Sequence, residues 1–225
     1  MRQLRPVEAN SEIYSTELLD RRWLSKKTIE LKLVKPPLFT FNPGQRICLI
    51  HKSVERDYSL VSAPADTDLI LCIRKVHTGI LSSQLSEIAL GTRLRFTGPH
   101  GYFTFKPSNR PAIFVATGTG LAPFCSMVRS GITDIALLHG VSLAADLYYA
   151  DFIKPAVKHY IPCLSKPNGS PEDCFNGRVT DYLQKNLPPG KYDFYLCGSR
   201  DMIHDVTVLV DERFEGSLIY TEIYY

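Results

Sequence analysis

Residues 111–124 read PAIFVATGTGLAPF. Six apolar residues, Ala112 to Ala116 and the flanking Pro111, lead into Gly118-Thr119-Gly120, and Pro123 follows three residues later. A short apolar run with β-branched and aromatic members is a buried strand. Glycines at the turn relax the backbone, and proline suits the first turn of a helix. The stretch therefore reads as strand, tight glycine turn, helix. That geometry puts the free N–H groups of a helix start, and its dipole, against a pyrophosphate. Pro123 replaces the third glycine of the usual G-x-G-x-x-G pattern, so the dinucleotide fingerprint is incomplete, and a ligand-free tight turn remains the alternative.

Downstream the rhythm continues. Strand-like runs at 134–141, 159–165 and 192–198 alternate with helical patterns at 145–157, 179–187 and 200–214, and SLIYTEIYY closes the chain at 217–225. Alternation of this kind implies a parallel sheet with helices on both faces. Upstream the rhythm differs. Runs at 12–23, 27–35, 45–52, 58–63, 68–76 and 92–98 alternate or run apolar, and are punctuated by KPP, NPGQ, SAP and GPHG. Six short strands so spaced imply a small antiparallel barrel. One helix interrupts them over 78–91, with Ile80, Leu81, Leu85 and Ile88 on one face, Thr78 as its cap and Gly91 after its end. The expected architecture is a six-stranded antiparallel β-barrel over residues 1–108 and an α/β Rossmann-like parallel sheet over residues 109–225, divided near KPSNRP.

The chain has 225 residues, 44% apolar and 22% charged, which suits an ordinary globular protein with a real core. No apolar run approaches the ~20 residues of a membrane span, and MRQLRPVEANSE lacks the apolar centre of a secretory leader. A soluble cytoplasmic protein is expected, with neither nucleic acid nor membrane as partner. Cysteines at 48, 72, 125, 163, 174 and 197 form no C-x-x-C pair and no C-x4-C-x2-C cluster spacing, so buried reduced thiols are expected. Net charge is +3, unevenly spread: residues 1–108 carry 16 Lys and Arg against 10 Asp and Glu, residues 109–225 carry 10 against 13. A basic first half suits phosphates or an acidic partner, although scattered solvated charge reads the same way.

Within the barrel half, RDYSLVSAP at 56–64 spaces Arg56 and Tyr58 by two, on one face of a strand, with Ser59 on the other side or at a bend. A guanidinium fork matches phosphate oxygens, an aromatic covers a flat ring, and a hydroxyl can bond a ring nitrogen. Together they describe a site for a flat ring tied to a diphosphate. Surface packing explains such a trio equally well in isolation. Gly79, with Ser82 in the next helical turn, offers a close backbone approach and a helix N-terminus, or simply a cap. Cys197, ending an apolar strand, is either filler or a ligand-facing wall. The terminal aromatics beside Glu222 suit the covering of something flat.

The ordered set RDYS, TGILS, GPHGYF, GTGLAP, LCGS and TEIYY resembles the ferredoxin–NADP reductase family of flavoproteins over nearly the whole chain. The stretches HGVSLAADLYYADF and NGRVTDYL are similar to its nucleotide-binding segments. The resemblance implies FAD as cofactor and NAD(P)H as substrate. It implies Arg56 on the FAD pyrophosphate, Tyr58 stacked on the flavin, Ser59 hydrogen-bonded near N5, and Gly79 and Ser82 completing the diphosphate site. It further implies Gly118, Thr119 and Gly120 facing the nicotinamide dinucleotide's diphosphate. Ser59, Cys197 and Glu222 would form the hydride-transfer centre, with Tyr224 and Tyr225 as a cover that moves aside for nicotinamide. Bacterial NADP-dependent relatives carry an arginine where this chain has Ser142. Lys166 and Arg178 remain as cations for the 2′-phosphate, but the lost bond, ~1.5–3 kcal/mol, would erode NADPH preference by ~10-fold or more.

The implied activity is hydride transfer between NAD(P)H and flavin, with electrons leaving singly for a separate ferredoxin or flavodoxin-type carrier, since no cluster ligands are present. An NAD(P)H:flavin reductase or an oxygenase reductase component is the alternative. A non-catalytic electron-transfer subunit is the third reading.

Overall fold

A computed structural model describes residues 12–166 and 173–224. Six antiparallel strands form the first half: β1 (Ile13–Ser25), β2 (Thr28–Val34), β3 (Arg46–His51), β4 (Val54–Ser59), β5 (Asp68–Arg74) and β6 (Arg93–His100), in the order β4-β3-β6-β1-β2-β5. The edge strands β4 and β5 approach each other through a Leu60–Leu71 bridge and the Val61 N–H to Ile70 carbonyl bond of 2.9 Å, which curls the sheet into a barrel. Alternation dictates the filling: Ile29, Leu31 and Leu33 of β2, Ile47 and Leu49 of β3, and Leu94 and Phe96 of β6 are all buried in one cluster. The helix α1 (Ile80–Glu87) caps that cluster with Leu81 and Leu85.

The second half is a six-stranded parallel sheet. Its strands are β7 (Ala112–Thr117), β8 (Ile135–Val141), β9 (His159–Leu164), β10 (Phe175–Asn176), β11 (Asp193–Ser199) and β12 (Leu218–Tyr224), ordered β10-β9-β8-β7-β11-β12. Phe124 and Met127 of α2 (Ala122–Arg129) and Ile153 of α3 (Ala150–Ile153) cover one face of the sheet, in a core that also takes in Val61, Cys72 and Phe103 from the first half. Leu183 of α4 (Val179–Asn186) and Val206 of α5 (Arg200–Arg213) cover the other. Chain order reverses between β7 and β11, so the carboxyl ends of these neighbours flank the crevice where open α/β sheets take ligands.

Four local expectations need correction. The strand placed at 58–63 ends at Ser59; Leu60 and Val61 are buried, but Ser62 and Asp66 tie the backbone into a turn, accepting from the Ile70 and Ala63 N–H groups at 3.1 and 2.9 Å. The helix expected over 145–157 is broken into a 3-10 turn, Ala144–Asp146, and α3, because Tyr149 adopts φ 64°. From there Tyr149 donates a 2.5 Å hydrogen bond to Glu30 of the barrel, whose carboxylate Arg22 also holds at 2.6 and 3.1 Å. Ile80 is 62% exposed rather than on the buried face of α1, and Gly79, not Thr78, stands at the cap position. The strand β10 was not anticipated.

Candidate functional site

Of the candidate residues, Ser59, Cys197, Glu222 and Tyr224 meet at the seam between barrel and parallel sheet. In the antiparallel register of β3 and β4, Ile47 faces Tyr58 and Arg46 faces Ser59. Partners share a face, so Tyr58 is directed with Ile47 and Ser59 with Arg46, as the period of two in RDYS requires. Across the seam, β11 and β12 pair Cys197 with Glu222 and Ser199 with Tyr224. At this site the halves are tied by a residue that sequence reasoning missed. Arg46 donates from its terminal nitrogen to Glu222 Oε1 at 2.7 Å and from Nε to Asp57 at 3.2 Å. A charge at the start of a strand reads as solvated, and nothing local marks an acceptor 176 positions away. Asp57, at the free position of the RDYS pattern, thereby gains a role as the second acceptor of that fork.

Burial sets the protonation of this cluster. It raises the Cys197 thiol well above its ordinary value, and the Glu222 charge raises it further, so the thiol stays neutral. Burial also raises Tyr58 and Tyr224. Glu222 is raised chiefly by burial, opposed by the Arg46 charge and its hydrogen bond. The Tyr224 hydroxyl lies against Ser59 and Cys197, yet both it and Ser59 Oγ are buried without a formed hydrogen bond. The two hydroxyls have each other and the Cys197 thiol as neighbours, which leaves hydrogen-bonding capacity at the seam that a ligand can take up. A flavin, flat and edged with nitrogen and oxygen acceptors, fits that demand.

Helix α1 has no side-chain cap, and a Cβ at Gly79 would sit 2.6 Å from Ser82 Oγ. The Ser82 hydroxyl is engaged locally, accepting from the Val76 N–H at 3.2 Å, so it braces the loop that leads into the helix. Arg56 is exposed, with its guanidinium on the Glu55 carbonyl at 2.6 Å.

On the other side of the seam, Gly118–Leu121 forms a 3-10 turn running directly into α2, with Pro123 in the first turn. Gly120 packs on backbone: a Cβ there would meet the Cys197 carbonyl oxygen at 2.2 Å. Gly198 is as tight, with φ +143° and a Cβ position 2.2 Å from Thr117 Oγ1. Thr117 Oγ1 in turn accepts the Ser199 N–H at 3.1 Å. Ser199 caps α5, accepting from the Met202 N–H at 3.4 Å. Below the turn, His139 is fully buried, its Nδ1 3.0 Å from the Tyr160 hydroxyl and its Nε2 turned to the Gly118 backbone without a formed bond. Burial lowers its pKa to about 4, so it is neutral.

Lys166 and Arg178 stand at the ends of neighbouring strands. The Lys166 N–H bonds the Ser142 carbonyl at 3.1 Å, and Gly177 bonds Leu164 at 2.9 Å, so Ser142, Lys166 and Arg178 follow adjacent strand ends. Tyr225 lies outside the described residues. A cleft of about 340 Å³ lined by Lys32, Asp66, Asp68 and Arg129 involves none of these residues, and its charges are paired among themselves. No helix among the described residues is long and apolar enough to cross a membrane.

A family model described as an oxidoreductase FAD-binding domain matches residues 16–105, and one described as an oxidoreductase NAD-binding domain matches residues 114–207. The toluate 1,2-dioxygenase electron transfer component of Pseudomonas putida is 31% identical over 210 residues, covering 86% of this chain and 62% of that protein. The phenol hydroxylase P5 protein of Acinetobacter pittii is 32% identical over 219 residues, covering 87% and 60%. The chain thus spans about 60% of the length of these curated relatives. Among solved structures, a ferredoxin NADP+ reductase from Neisseria gonorrhoeae with bound FAD and NADP superposes with TM-score 0.83 at 21% identity, over 96% of this chain and 100% of that one. A cytochrome P450 reductase from Amycolatopsis gives TM-score 0.82 at 26% identity, over 95% and 71%. These matches put the chain among the oxidoreductases that join an FAD-binding domain to an NAD-binding domain, and it shares the fold of the Neisseria ferredoxin NADP+ reductase.

Proposed function

We propose that the chain is a flavin-dependent NAD(P)H oxidoreductase that passes electrons to a separate protein acceptor. The observation that carries this reading is the seam itself. The Ser59 and Tyr224 hydroxyls are buried together beside Cys197 with no well-formed hydrogen bond, where an FAD-binding barrel meets the switch point of an NAD-binding sheet. Bound FAD would supply acceptance of a hydride and release of single electrons, chemistry no side chain here provides.

The chain's own residues position and shield. Arg56 offers its fork to the FAD pyrophosphate, and the uncapped start of α1 at Gly79, braced by Ser82, offers N–H groups. Tyr58 gives the ring a stacking face, and Ser59 a hydroxyl. The turn Gly118-Thr119-Gly120 takes the nicotinamide dinucleotide's diphosphate. Cys197 and Glu222 line the meeting point, and Tyr224, with Tyr225 next to it in sequence, covers the flavin until nicotinamide displaces it. Burial of this set keeps water from the reacting atoms. Lys166 and Arg178 attract a 2′-phosphate without the fork an arginine at 142 would give, so NADH competes well with NADPH.

The acceptor is of ferredoxin or flavodoxin type, or the oxygenase component that such a carrier serves. The second form is favoured by the names of relatives, which include electron transfer or reductase components of toluate dioxygenase, anthranilate dioxygenase and propane monooxygenase systems. Six free cysteines suit a reducing, cytoplasmic setting. Steady-state turnover tests the reading: NADH and NADPH compared with a one-electron acceptor, on protein carrying FAD and on flavin-free protein given riboflavin. Turnover that needs tightly held FAD supports it. A colourless protein reducing free riboflavin supports a flavin reductase instead, and nicotinamide binding without flavin reduction supports a non-catalytic subunit.

A further inference from the structure

We infer that Arg46 is the positioning residue of the hydride-transfer centre, holding the Glu222 carboxylate of the parallel-sheet half in place from the barrel half. What the centre does rests on the proposed function; the contact between the two residues does not.

Arg46 opens β3, and its register partner is Ser59. Its side chain therefore leaves the sheet on the face of Ser59, toward the seam. The guanidinium takes Glu222 at 2.7 Å and Asp57 at 3.2 Å. The Arg46 and Glu222 side chains are only 24% and 15% exposed, so this differs from a solvated surface pair. Space for the fork is provided by Gly101: its φ is +89°, and a Cβ there would stand 2.6 Å from the guanidinium nitrogen. Glu222 in turn is the register partner of Cys197 and lies two residues before Tyr224. Arg46 thus links Ser59 by strand pairing, Glu222 by a direct bond, and Cys197 and Tyr224 through β12.

The groups facing Glu222 are Arg46 from β3, Asp57 from β4, Cys197 from β11 and Tyr224 from its own strand. Arg46 is the cation of that set. Burial and Asp57 both push Glu222 toward the neutral acid, and Arg46 opposes them. Without Arg46 the carboxyl takes up a proton more readily and loses its anchor on the barrel, and β12 loses its charged tie across the seam.

The test is a carbon-13 NMR pH titration of glutamate carboxyls in the full chain, with Glu222→Gln identifying the Glu222 signal. In Arg46→Met the Glu222 titration moves to higher pH than in wild type, and Arg46→Lys, which keeps the positive charge, brings it most of the way back. Arg46→Gln, which keeps a neutral donor, serves if the methionine variant does not fold, and moves it in the same direction. A Glu222 titration unchanged in a folded Arg46→Met or Arg46→Gln variant overturns the inference. The pH profile of flavin reduction by NAD(P)H is recorded in parallel. Wild-type protein that binds FAD but is not reduced would sink the proposed function and leave the titration result standing.

Discussion

Replacing Gly120 with alanine tests whether the glycine turn and the end of β11 are one rigid unit. The new Cβ would lie 2.2 Å from the Cys197 carbonyl oxygen, 2.5 Å from its carbon and 2.7 Å from the Gly198 Cα. All three are backbone, so no rotamer change relieves the clash. Restoring ordinary contact, about 3.4 Å, requires the turn and β11 to part by roughly 1 Å. Overpacking of this size costs ~1–3 kcal/mol. For a chain of this length that lowers Tm by ~2–4 °C per kcal/mol. The kinetic effect is larger, because misplacing reacting groups by about 1 Å can cost ~100-fold in rate. The assay is anaerobic rapid mixing of FAD-loaded protein with NADH. Gly120→Ala is expected to keep its flavin, since the barrel is untouched, and to reduce it roughly 100-fold more slowly. Gly118→Ala serves as the comparison: its Cβ meets only the Tyr148 hydroxyl, at 3.8 Å, and the cost is the ~1–2 kcal/mol of φ +53°. A Gly120→Ala protein with wild-type reduction rate and Tm would refute the reasoning.

Arg56→Ala is expected to hold FAD at least ~10-fold more weakly, through loss of a charged hydrogen bond to phosphate, as read by flavin released on gel filtration; unchanged flavin content counts against Arg56 as the pyrophosphate residue. Ser142→Arg is expected to raise the NADPH-to-NADH ratio of kcat/KM by roughly tenfold, and an unmoved ratio would detach Ser142 from the 2′-phosphate position. His139 gives a pH signature. Its pKa is lowered from 6.5 to about 4 in the fold, so the unfolded chain binds the extra proton first and stability falls as pH drops from 6.5 toward 4. The loss approaches ~3 kcal/mol at the acid end. Urea unfolding at pH 7 and pH 5 should show this in the wild type and a flatter dependence in His139→Leu; equal slopes would mean His139 is not buried neutral.

Both sheets and the alternation within RDYS were legible in the sequence because each rests on local periodicity. Tyr58 and Ser59 are on opposite faces because a strand has period two, whatever it packs against. The glycine turn was legible for a similar reason: Gly118 needs a positive φ, and Gly120 has no room for a side chain. The losses were tertiary. Leu60 and Val61 look like strand but are buried beside a turn closed by Ser62 and Asp66. Tyr149 breaks its helix to reach Glu30 across the seam, at 119 positions' separation. Arg46 has no local signal at all, since its partner is on the last strand.

The central claim is that a flavin held by the barrel is reduced by a nicotinamide held by the parallel sheet. Anaerobic addition of NADH to protein carrying about one FAD per chain, with the flavin's visible absorbance recorded, measures this directly. The absorbance should bleach within a single turnover, with one nicotinamide oxidised per flavin. A chain that retains no FAD, or whose bound FAD stays oxidised under excess NADH and NADPH alike, would contradict it.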